Sequence, residues 1–266
     1  MALVVFDDPA TWEQSLREAL GELYSSRLNA MKEPHEYPED ALDTLEIVDK
    51  TAIRRVTVDW LSQRMIAAYH GTRLNLSEFQ SIRNTGLRAL NSEDREDRLI
   101  RTLSKHPDWN SISSGLPDAI DSVANSGKFG KRLGQAHLTL SKFGLEKSFN
   151  HYLQYGSEFD QCVAHLLLGQ EGVELLQFDN LPYVLEFAVP GAKAIAAANR
   201  FFTVDEAIVR EDGPNLVREF LKVLSCRTNH ASFDQSSLRV DCGITFTKDI
   251  PAEWLHSSSI WTGRDA

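Results

Sequence analysis

Apolar positions along this chain follow two rhythms, one helical and one of strands. Over residues 9–31, Trp12, Leu16, Leu20, Leu23 and Tyr24 recur at helical spacing, with Asp8 as a cap and Pro9 at the first helical position. Pro34 and Pro38 cannot continue a helix, and a second one is expected over 40–50. The run Met65-Ile66-Ala67-Ala68-Tyr69 reads as a strand ending at His70. Helical character resumes over 77–85, with Ser77 as N-cap and Gly86 as a left-handed terminator. Residues 136–140 make a short strand. A stripe that includes Tyr152, Tyr155, Phe159 and Val163 marks a helix over 148–168, ended by Gly169. Residues 184–189 alternate as a strand and stop at Pro190, and Pro214 opens a helix over 215–225. The last clear strand is 238–247, followed by a turn at 250–255 back onto the sheet. Elements in this order predict an α+β fold and not regular βαβ winding.

Residues 91–135 break the pattern. NSEDREDR is a charged, solvated run, and the stretch from Ser111 to Gly134 is rich in Ser, Asn and Gly, so an irregular surface insertion is expected there. Lys128, Lys131 and Arg132 form a small basic cluster within it, better suited to a solvated loop than to a phosphate site. GKFGKRLG has the wrong glycine spacing for a dinucleotide-binding loop, and no strand precedes it.

Charge and cysteines narrow the class. A net charge of −10 argues against a broad nucleic-acid footprint, which needs a local excess of Lys and Arg. Cys162, Cys226 and Cys242 lack metal-ligand spacing and are odd in number, so buried free thiols are expected and no metal. The start MALVVFDDPATWEQ lacks the basic region of a secretion signal, and no apolar run is long enough to span a bilayer. These features point to a cytoplasmic protein without a membrane partner.

Candidate chemistry lies at Tyr69-His70-Gly71-Thr72-Arg73, followed by Ile82 and then Gly86-Leu87-Arg88. A His-Gly pair at a strand end is the kind of place where a ligand approaches main chain, because glycine adds no Cβ. This pattern resembles the first motif of the ADP-ribosyltransferase fold in its His-Tyr-Glu branch, the diphtheria-toxin and poly(ADP-ribose) polymerase lineage. The resemblance implies a split mixed β-sheet gripping NAD as co-substrate, preceded here by a helical cap over 1–59, with the catalytic domain over 60–266. It further implies that Gly71 offers its N–H and C=O to the nicotinamide amide and that His70 bonds a ribose hydroxyl. Thr72 and Arg73 would then face the amide and the pyrophosphate, with Arg88 among the cofactor-binding residues.

The second motif is looser. His137-Leu138-Thr139-Leu140-Ser141, then Ser148-Phe149-Asn150-His151-Tyr152, is similar to the family's strand and helix, without the strand tyrosine. Tyr152 is the first choice for the ring that stacks on nicotinamide and Tyr155 the second. In the third motif the family's glutamate stands about nine residues before the position matching Ile250, a register that lands on Asp241, with Asp234 and Glu253 as fallbacks. Its carboxylate would orient the ribose 2′-OH and stabilise positive charge at C1′ as the glycosidic bond breaks. Aspartate is shorter than glutamate by about 1.5 Å.

The activity so implied is transfer of ADP-ribose from NAD to a macromolecular acceptor, protein before nucleic acid, by a toxin, an effector or a phage-defence enzyme. A toxin of this kind would be matched by an antidote protein. The alternatives are an NAD glycohydrolase with water as acceptor, and an inactive module that binds NAD, ADP-ribose or a protein.

Overall fold

The computed structural model describes residues 3–35, 37, 40–127, 132–178, 180–230, 232–234, 240 and 242–263. Helices predominate around six strands, as an α+β chain requires: β1 (Leu3–Val4), β2 (Met65–Leu74), β3 (Ala136–Thr139), β4 (Leu181–Pro190), β5 (Gly243–Phe246) and β6 (Leu255–Ile260). The sheet order is β5-β3-β2-β4-β6, and β1 joins β2 in parallel, Leu3 opposite Met65 and Val4 opposite Ile66. Strand β2 does not end at His70 but continues through His70 and Gly71 to Leu74. Strand β6, absent from the hydropathy pattern, has five exposed residues of six and so no apolar alternation to reveal it.

The helices differ from their expected bounds where glycine or a polar cap intervenes. The helix expected over 9–31 is a 3₁₀ turn at Pro9–Thr11 and then α1 (Glu13–Leu20), α2 (Glu22–Ser25) and α3 (Leu28–Lys32), with Gly21 at φ 52 dividing the first two. The one expected over 40–50 is α4 (Asp40–Glu46) and, after a turn, α5 (Lys50–Ser62), whose first turn is capped by Asp49. Asn75, not Ser77, caps α6 (Leu76–Thr85), in a reciprocal capping box with Glu78.

The stretch expected to be irregular is helical: α7 (Glu93–Leu103), α8 (Trp109–Ile112) and α9 (Leu116–Ala124). Then come α10 (Lys142–Lys147), α11 (His151–Tyr155) and α12 (Glu158–Leu175), with Gly156 at φ 78 between the last two. At Gly169 the backbone leaves the helical region (φ 59, ψ −144), so the first helical stretch of α12 ends there as expected, and a second stretch follows at a kink. The series closes with α13 (Gly191–Ala198), α14 (Val204–Val209) and α15 (Asn215–Asn229).

The residues group into two compact units, each built from separated stretches. The first holds Met1–Ala68, Leu138–Gly144 and Phe187–Thr245. The N-terminal helices belong with the later ones because α15 packs on α3, α4 and α5. Phe6, Trp12 and Trp60 meet Phe220 edge-on with ring centroids 5.2, 5.0 and 6.3 Å away. Arg54, 2% exposed, pairs with Glu46 (Nε–Oε1 2.8 Å) and caps the carbonyls of Ile208, Arg210 and Glu211. Asp7 accepts from Ser141 Oγ (2.8 Å) and Phe143 N (3.0 Å), and burial pushes its carboxyl above the usual carboxylate range.

The second unit holds Tyr69–His137, Leu145–Glu186 and Phe246–Ala266. Its core is helical: Leu99 and Leu103 of α7, Ile120 and Val123 of α9, and Phe159 and Val163 of α12 pack together. No helix among the described residues is long and apolar enough to cross a membrane. Cys226 and Cys242 are buried and Cys162 is half-buried.

Candidate functional site

The second unit carries the whole first motif. His70 is half-buried on β2, and its Nδ1 lies 2.8 Å from the carbonyl oxygen of His137 on neighbouring β3. A carbonyl only accepts, so Nδ1 carries the proton and the neutral ring presents Nε2 as an acceptor. Desolvation holds the imidazole below its ordinary pKa; the His137 carbonyl opposes that shift and the charge of Arg95 adds to it. A neutral acceptor of this kind can take a hydrogen bond from a hydroxyl.

Gly71 is glycine for a packing reason. A Cβ there would stand 2.8 Å from Leu145 Cδ1 and 3.2 Å from Leu153 Cδ2, so the two leucines fill the space that a side chain would need. Thr72 is 7% exposed. Arg73 does not reach outward to a phosphate: its guanidinium donates to the main-chain carbonyls of Leu153 (2.9 Å), Gln177 (2.5 Å) and Asn180. Arg73 is thereby a clamp holding α11 and the turn after α12 against β2. Burial, and behind it the charge of Arg98, lowers its pKa, while Arg98 donates to the Arg73 carbonyl (2.5 Å).

Behind this strand runs an ion-pair network. Asp160, 1% exposed, takes Arg95 through both oxygens (2.9 and 2.5 Å) and lies 3.3 Å from Arg98 Nε. Glu78 closes the capping box of α6 and also pairs with Arg101 at 2.7 Å. Of the charged run of α7, Arg95 and Arg98 thus turn inward while Glu93, Asp94, Glu96 and Asp97 stay exposed, and the run's polarity hides a helix that buries Leu99 and Leu103.

Gly86-Leu87-Arg88 meets the segment around Ile250. Leu87 N donates to Ile250 O (2.9 Å), Ile250 N returns to Leu87 O (2.8 Å), and Ala89 N reaches Asp249 Oδ1 (2.7 Å). Gly86 has φ 94 with ψ 178, a conformation open to glycine but not the left-handed helical one expected. Arg88 pairs with Asp94 at 2.9 Å in an ion pair at the surface.

Tyr152 lies on α11 next to Leu153, the residue that packs against Gly71, so the motif and the aromatic are brought into one region. Its ring lies 4.0 Å from that of His151, tilted by 37°. Tyr155 is half-buried on the same helix. Asp241 lies outside the described residues, as do Lys128 and Lys131. Of the fallbacks, Glu253 is exposed in a 3₁₀ turn, and Asp234 belongs to the first unit.

Spacing alone missed the neighbours of Tyr152. Arg132 pairs with Glu158, and Glu158 Oε1 also lies 3.4 Å from His151 Nε2. The turn at Gly156 places Glu158 beside residues that a continuous helix would keep on another face. The only signal was Tyr-Gly-Ser-Glu at 155–158, a glycine break followed by a cap residue and an acid. Among the described residues no three His, Cys, Asp or Glu side chains converge as a metal site. No family model matches the chain, and no curated protein or solved structure matches it.

Proposed function

We propose that this chain is an NAD-dependent mono-ADP-ribosyltransferase that cleaves the nicotinamide glycosidic bond and transfers ADP-ribose to a macromolecular acceptor, a protein before a nucleic acid. The reading rests on the first-motif resemblance, and one geometric observation supports it: His70 is held by the His137 carbonyl as a neutral ring whose Nε2 can accept from a ribose hydroxyl. In this reading nicotinamide lies along the main chain of Gly71 and stacks on Tyr152. Arg73 holds the scaffold in this reading: its two terminal nitrogens donate to main-chain carbonyls, and its Nε is buried without a hydrogen bond. The resemblance assigns the ribose 2′-OH to the carboxylate of Asp241, which lies outside the described residues. Bond cleavage is dissociative: the C1′–N bond breaks with its electron pair leaving on nicotinamide, and the acceptor's nucleophile attacks the oxocarbenium ion.

The test is nicotinamide release from NAD by purified protein. Wild type should turn over, and His70→Ala should lose roughly tenfold or more in kcat/KM, the worth of one substrate hydrogen bond in a dry site. Label retained on macromolecules indicates transfer; free ADP-ribose alone indicates the glycohydrolase. Thermal stabilisation by NAD without release indicates an inactive binder. Equal turnover by wild type and His70→Ala would remove His70 from the site.

A further inference from the structure

Tyr152 sits in a polar frame made by Arg132, His151 and Glu158. Arg132 ion-pairs with Glu158, and its guanidinium also hydrogen-bonds the Tyr152 side chain. On the other side, the His151 ring packs on the Tyr152 ring, and its Nε2, 3.4 Å from Glu158 Oε1, is buried without a hydrogen bond of its own. The phenol end is thus fixed by Arg132 and the ring face by His151, with one carboxylate beside both.

The Arg132 and Glu158 side chains are 36% and 22% exposed. Ion pairs so placed contribute little to stability, because water screens them and ordering two long side chains costs entropy. What the frame does achieve is to hold one aromatic ring in a single orientation before any ligand arrives. Ordering completed in advance is not charged again on binding.

We infer that Arg132 and Glu158 are positioning residues that fix the Tyr152 ring in the orientation in which it stacks on nicotinamide. The inference rests on the NAD reading above. Neither residue needs to touch the cofactor. Because their charges cancel, the cationic pyridinium ring meets neither net repulsion nor a competing anion beside Tyr152.

The test compares wild type with Arg132→Met, Arg132→Lys and Glu158→Gln in three measurements: kinetics with NAD, affinity for ADP-ribose, and melting temperature. ADP-ribose lacks the nicotinamide ring, so it reports on the rest of the site. Arg132→Met and Glu158→Gln should raise KM for NAD roughly three- to tenfold, the worth of an aromatic stacking contact. Affinity for ADP-ribose should hold within about twofold and melting temperature should hardly move, as for a partly exposed pair. Arg132→Lys should recover part of the loss. Unchanged KM in both charge-removing variants overturns the inference and leaves the NAD reading standing. Parallel loss of NAD and ADP-ribose affinity with a lowered melting temperature also overturns it, as a purely structural role. A wild type that binds neither ligand and releases no nicotinamide removes the NAD reading and this inference with it.

Discussion

Replacing Gly86 by alanine should destabilise the protein by about 3–5 kcal/mol, and the figure follows from two terms. The first is conformational: Gly86 sits at φ 94, ψ 178, where a residue with a side chain is strained by about 1–3 kcal/mol. The second is steric. A Cβ would stand 2.0 Å from the Ile250 carbonyl oxygen and 2.9 Å from Ala252 N, both main chain, so no rotamer change relieves the contact. Moving the segments apart sacrifices the two reciprocal hydrogen bonds between Leu87 and Ile250, each worth about 1 kcal/mol. Urea unfolding followed by circular dichroism measures the loss as a lower midpoint at unchanged slope. Gly243→Ala is the control, since a Cβ there meets nothing within 4 Å. It should stay within about 0.5 kcal/mol of wild type. A Gly86→Ala loss below about 1 kcal/mol, or one equal to the control, would refute the close pairing of Leu87 with Ile250 and the reasoning built on it.

At Gly71 the obstacle is side chain and can yield: Gly71→Ala should cost about 1–3 kcal/mol, and Leu145→Val in the same molecule should recover at least part of it. Purely additive losses in the double variant would show that Leu145 is not what requires glycine at this position. His70 supplies a pH test. Its folded pKa lies below the ordinary 6.5, so the unfolded chain binds the proton more readily and stability falls as pH drops below about 6.5. His70→Gln cannot titrate; the unfolding free energy of wild type minus that of His70→Gln should therefore decline from pH 7 to pH 5 and be level above pH 7. A flat or rising difference towards acid would contradict a desolvated imidazole.

The sequence was most legible where apolar spacing was uninterrupted. Leu216, Val217, Phe220, Leu221 and Leu224 all face inward on α15, and β2 and β4 stand where their apolar runs lie. It was least legible where charge serves the interior. Arg95 and Arg98 read as solvated because nothing local signals Asp160, a partner 65 residues from Arg95. Arg73 read as a phosphate ligand for the same reason: its partners are carbonyls, and main-chain acceptors have no sequence signature. Breaks at Gly21 and Gly156 were hidden because side-chain periodicity continues across them.

Strand alternation joins these observations. Successive residues of β2 point to opposite faces, so Gly71 and Arg73 share one face and His70 and Thr72 the other. Both residues of the first pair engage Leu153: Gly71 leaves room for its side chain and Arg73 binds its carbonyl. Two of the five motif residues therefore seat α11, and with it Tyr152, while His70 is turned away from that contact. The missing Cβ of Gly71 on the leucine side lets α11 come close. That separation divides the motif: Arg73 and Gly71 set where α11 and its aromatic stand, and in the proposed reading His70 is the motif side chain that addresses NAD. On the proposed reading a variant of Arg73 would lose NAD binding only by displacing α11, whereas a variant of His70 would lose it with α11 in place, which makes His70 the residue on which that reading stands.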